Sequence, residues 1–135
     1  VENYVRELLE TWPTDLYISS EGEDILTGNR KLPLTPAANP VRESYRLWPA
    51  AGAPGKPGAL VTGRSSWDQI AVLFAVRPRY FTVEQGGSLE QTAGFMTFWN
   101  PGRRNPKHHR VLLRVSGKEI SEIIEDLMSE PPARP

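Results

Sequence analysis

The sequence contains no cysteine, which excludes disulfides, thiolate metal ligands and cysteine nucleophiles. That absence suits a reducing cytoplasm. No apolar run approaches the roughly 20 residues that cross a bilayer, and the first residues lack the basic-then-apolar pattern of a secretion signal. A cytoplasmic chain without membrane association is the expectation. Histidine is scarce: His108 and His109 are the only two. Neighbours on an extended segment point to opposite sides, so this pair does not hold one metal ion as histidines four apart on a helix do. With no carboxylate in the same loop, neither a metal nor another cofactor is expected. Phosphate-binding loops are missing too. Gly86 and Gly87 precede Ser88 without the lysine or the glycine spacing of such a loop. The prolines of GAPGKPG remove amides that would cradle a phosphate.

What is present is a globular composition: 39% hydrophobic residues, with four Trp, four Tyr and four Phe among 135 residues. That length fits one domain, 1–130, which buries about two thirds of its unfolded surface, followed by a flexible Pro-rich tail at 131–135. The formal net charge of zero hides an uneven distribution. Seven acids and one Arg lie between Val1 and Asp24. Six Lys or Arg and no acid lie between Gln91 and Lys118, and five acids and no base between Glu119 and Glu130. A basic centre therefore stands between two acidic ends, an arrangement that steers anions or is neutralised inside the fold.

Residues 1–12 have a helical stripe of Val5, Leu8, Leu9 and Trp12, ended by Pro13. DLYIS, from Asp15, reads as a strand, and Ile25 with Leu26 as a second. Three prolines between Asn29 and Pro40 predict an irregular, exposed segment. Val41 to Trp48 alternates as a strand with Arg42 and Arg46 on its outer face. AAGAPGKPGA, at 50–59, reads as a flexible loop, and LVTG after it as a short strand. Ser65 stands three residues before Asp68, and Trp67, Ile70, Ala71 and Phe74 follow at helical spacing. IAVLFAV also reads as a buried strand, but the cap spacing favours the helix. Arg79 to Gln85 is a strand with Phe81 and Val83 inward, and GGSLEQ a turn or one short helical turn. AGFMTFW and RVLLRV flank a basic loop as a hairpin. Ser116 and Glu119 then cap a helix whose stripe is Ile120, Ile123, Ile124, Leu127 and Met128, with Glu122, Glu125 and Asp126 off it. The predicted class is α+β: a curved, mainly antiparallel sheet of four to five strands, with N-terminal, central and C-terminal helices mostly on one face.

Three functional readings follow. The leading one is a small non-enzymatic module that binds a protein partner, of adaptor, regulatory or immunity type, since no catalytic constellation is present. Trp48 and Trp99, at strand ends, are the aromatic anchors this reading uses, whereas Trp12 and Trp67 fit helix stripes and belong to the core. The second is a nucleic-acid-binding domain using the basic hairpin 100–110. Arg103, Arg104, Lys107, His108, His109 and Arg110, with Arg114, Arg42 and Arg46, would bind phosphates beside stacking rings such as Tyr80, Phe81, Phe95, Phe98 and Trp99. The plainer account of those charges is a solvated loop and a strand face protected from edge pairing. The third reading is a phosphodiesterase or nuclease with His108 or His109 as general acid or base; a histidine satisfied by the backbone is the commoner use.

Overall fold

The computed structural model describes residues 2–48, 58–94 and 96–131. The elements run α1 (Glu2–Thr11), β1 (Leu16–Ser19), β2 (Leu26–Thr27), α2 (Pro40–Leu47), α3 (Ala59–Thr62), β3 (Arg64–Ser65), α4 (Trp67–Val76), β4 (Phe81–Glu84), β5 (Ser88–Gln91), β6 (Thr97–Asn100), β7 (His108–Leu113) and α5 (Gly117–Ser129). The protein is α+β. Its described strands form a three-stranded sheet in the order β1-β7-β4 and two pairs, β2-β3 and β5-β6. Among the described strands β1 and β7 run parallel and the other pairings are antiparallel. Among the described residues, no helix is long and apolar enough to cross a membrane.

Contacts divide the chain into two units, each built from two stretches: Val1–Ser20 with Phe81–Arg114, and Glu21–Tyr80 with Val115–Pro135. The first unit is organised by β7. Its register sets Val111 beside Val83 and Leu113 beside Phe81, and Val111 and Phe81 are buried as the alternation predicts. Val83, on a two-sided edge strand, remains exposed. The expected hairpin does not form. β6 pairs with β5, and β7 with β1 and β4, so 101–107 connects two different sheets. GGSLEQ is not merely a turn: Gly86, at φ +94°, makes the bend, and β5 follows it. Gly87 must be glycine because a Cβ there would lie 2.3 Å from the Trp99 ring.

In the second unit, α5 begins as the sequence predicts, with the Ser116 hydroxyl accepting from the Glu119 amide at 3.2 Å. Ile120 and Ile124 are buried, and so is Glu125, contrary to its place off the stripe. Its carboxylate accepts from the amides of Gly28 at 2.7 Å, Arg30 at 3.0 Å and Lys31 at 3.3 Å, and from Arg30 Nε at 3.0 Å. Arg30 also donates to Ser121 Oγ at 2.6 Å. Donors on this scale allow a carboxylate to be buried. Between Asn29 and Pro40 the chain is neither irregular nor exposed throughout: Leu32–Leu34 form a 3-10 turn and Pro40 opens α2. Leu32 is fully buried in a cluster with Tyr45 and Ala59.

Val41 to Trp48 is a helix rather than a strand. The Asn39 side chain accepts from the amides of Val41 at 2.8 Å and Arg42 at 3.1 Å, and Pro40 occupies the first helical turn. Val41 and Tyr45, four apart, then share the packed face. Arg42 and Arg46 therefore lie on a helix and not on a sheet face. LVTG likewise belongs to α3 and its cap, Gly63. The helical reading of 67–76 holds as α4. Trp12 and Trp67 are 41% and 48% exposed, so neither is core. Loop 50–59 falls outside the described residues except Gly58 and Ala59, as does tail 131–135 except Pro131.

Replacing Glu125 with Gln removes charge from a site with four donors. Urea denaturation should show a loss of about 3 kcal/mol; an unchanged midpoint would mean that the four bonds contribute nothing net.

Candidate functional site: an arginine-lined groove

Within the first unit, the last turns of α1, strand β5 and the loop 103–106 enclose a groove of about 580 Å³. Two asparagines shape that loop. Asn100 Oδ1 accepts from the Gly102 amide at 2.9 Å, and Asn105 Oδ1 from the Lys107 amide at 3.0 Å. The Asn105 amide donates to the Gly87 carbonyl at 3.0 Å, which ties the loop to the start of β5.

His108 is buried and joins two walls of the first unit. The Leu89 amide of β5 donates to Nδ1 at 3.0 Å, and Nε2–H donates to the Leu9 carbonyl of α1 at 2.9 Å. An acceptor at Nδ1 and a donor at Nε2 define the neutral Nε2–H tautomer. His109 faces the other way, as the strand period requires. Its ring stacks on Tyr17 with centroids 4.9 Å apart, and Nε2 lies 3.5 Å from Asp15 Oδ2 without hydrogen-bond geometry.

The basic residues are largely answered by neighbours. Arg103 lies between Glu10, at 3.4 Å, and Glu90, at 3.5 Å. Lys107 Nζ donates to the carbonyls of Trp12 at 3.2 Å and Pro13 at 2.9 Å, just past the negative end of the α1 dipole. Arg110 pairs across the sheet with Glu84 at 3.7 Å. Arg104 and Arg114 are exposed and have no ion pair or hydrogen bond among the described residues. The acidic N-terminal helix thus neutralises part of the basic loop.

The groove brings Arg103 and Arg104 together with Arg6, Glu10, Glu90 and Gln91, none of which the sequence marked as site residues. Arg103 and Glu10 are 93 positions apart, so no local pattern links them. Trp99 is half-buried against Gly87, with a buried Nε1 that has no hydrogen-bond partner. Arg42, Arg46 and Trp48 belong to the second unit. Arg42 donates to the Thr35 carbonyl. Arg46 donates to Glu43, and that hydrogen bond holds the Glu43 carboxyl below its ordinary value. The Trp48 ring carries the Arg64 guanidinium 3.8 Å from its centroid. Phe95 lies outside the described residues.

No family model matches this chain, and no curated protein or solved structure is significantly similar to it.

His108→Ala would leave the Leu9 carbonyl and the Leu89 amide without their partner. Chemical denaturation should show a loss of about 2 kcal/mol, and amide exchange at Leu89 should accelerate. Unchanged exchange would deny the ring its bridging role.

Proposed function

We propose that this protein is a small non-enzymatic binding module of the cytoplasm that recognises a protein partner through the groove of its first unit. The observation that carries this reading is the mixed sign of the groove. Arg6, Arg103 and Arg104 stand with Glu10 and Glu90, around Leu9, Leu89 and Pro106. A nucleic-acid strand brings a negative charge at every step and is repelled by carboxylates along its path. A polypeptide brings both signs and apolar side chains, and so complements such a lining.

Catalysis fits less well. Both ring nitrogens of His108 are engaged by the protein, and His109 is buried beside Tyr17. The nucleic-acid reading draws on Arg104 and Arg114, whose charges have no carboxylate partner among the described residues. Of its other cations in this unit, Arg103 and Arg110 lie against glutamates and Lys107 against carbonyls. That leaves few charges for counterion release.

Pro106 is exposed on the groove, and a benzophenone amino acid installed there reports what enters. Irradiation in an extract of the native host is expected to give a discrete protein adduct that survives nuclease and falls at least tenfold with Arg104→Glu. A nuclease-sensitive adduct, together with DNA or RNA binding that weakens steeply with salt, would replace this reading with the nucleic-acid one.

A further inference from the structure

We infer that the groove takes its partner as an added β-strand: an extended polypeptide segment pairs with the outer edge of β5, and its one carboxylate meets Arg104. The inference rests on the protein-binding reading above and specifies the ligand of the same site.

β5 and β6 pair Ser88 with Asn100 through to Gln91 with Thr97, and one step further the Thr92 amide donates to the Met96 carbonyl at 2.8 Å. In an antiparallel pair, residues alternate between those whose amide and carbonyl both face the partner strand and those whose groups both face away. Thr92 faces β6, so Glu90 and Ser88 do too, and Leu89 and Gln91 turn outward. The Leu89 amide independently fixes this phase, because it donates to His108 rather than to β6.

The outer edge therefore presents Leu89 and Gln91 along one wall of the groove. At Leu89 the edge is closed: the amide is taken by His108, and the carbonyl has a 3.5 Å contact from Ser88 Oγ. At Gln91 it is open. The Gln91 amide and carbonyl have no non-ladder hydrogen bond among the described residues and point away from β6. An incoming residue opposite Gln91 would exchange two backbone hydrogen bonds with it, the unit of strand addition.

Charge selects among polypeptides. Arg103 is held by Glu10 and Glu90, whereas Arg104 borders the groove with no carboxylate among the described residues. Its fork matches an aspartate or glutamate in bidentate fashion. Glu10 of α1 and Glu90 of β5 disfavour a run of acids, so the segment carries its negative charge at one position.

The test uses the full chain and fluorescein-labelled octapeptides of alternating valine and threonine. A single aspartate is walked through the positions, and a lysine series serves as control. At least one aspartate peptide is expected to bind tenfold or more tightly than its lysine counterpart. Arg104→Glu, checked for an unchanged melting curve, should reverse that preference. N-methylation walked along the bound peptide should weaken binding at one amide only, the one opposite Gln91, because the edge is closed at Leu89. Uniform sensitivity to N-methylation, or no binding up to millimolar peptide, would overturn the inference. So would self-association of the protein that Arg104→Glu abolishes, which would assign the edge to a second copy of this chain. A nuclease-resistant protein adduct at Pro106 in the face of those results would leave the protein-binding reading standing without strand addition. Absence of that adduct would remove both.

Discussion

A carboxylate out of reach of water has to find donors, and the burial of Glu125 imposes that requirement on the second unit. Its two oxygens accept from three consecutive-region amides and one guanidinium, all between positions 28 and 31. The loop is thereby pinned to α5, and Leu32, next in sequence, enters the core against Tyr45 and Ala59. Gly28 is held at φ +99°, and a Cβ there would fall 2.1 Å from the Tyr45 ring, so the turn and the packing of α2 share one constraint. Thr27, fully buried, completes the arrangement through hydroxyl contacts of 3.0 Å to Tyr45 and 2.8 Å to Ser66. Such networks make the fold specific, because each member is costly to leave unpaired.

In the first unit the corresponding role falls to β7. Period two sends His108 to the side of α1 and β5, and His109 to the side of Tyr17. Two adjacent histidines of one strand thus serve different surfaces. One of them supplies a bridge where the described residues form no backbone ladder, since among them β5 pairs with β6 alone. The groove is a by-product of that bridge: α1 is tethered at Leu9 and β5 at Leu89, with the asparagine-shaped loop closing a third side.

The proposed function follows from how charge is spent. A loop that reads as strongly basic in isolation loses most of its free cations once folded, to Glu10, Glu90, Glu84 and the carbonyls past α1. What remains is a groove of both signs with apolar walls, where Arg104 has no carboxylate partner among the described residues. That combination suits a mixed polypeptide better than a uniform polyanion.

Elements whose causes are local are legible in the order of residues. The α+β class, α1, the Ser116-capped α5, β1 and α4 follow from periodicity and caps confined to a few neighbouring residues. The helix at Pro40 was also legible, since asparagine before proline is a capping signature, but its alternation admits a strand when Val41 and Tyr45 are read at period two rather than four. Tertiary structure alone decided the rest. Pairing partners such as β5 with β6, the burial of Glu125 and the meeting of Arg103 with Glu10 join positions far apart in the chain. Long-range pairing and the desolvation of a charge depend on what surrounds a residue in space, and no pattern of sequence neighbours records that.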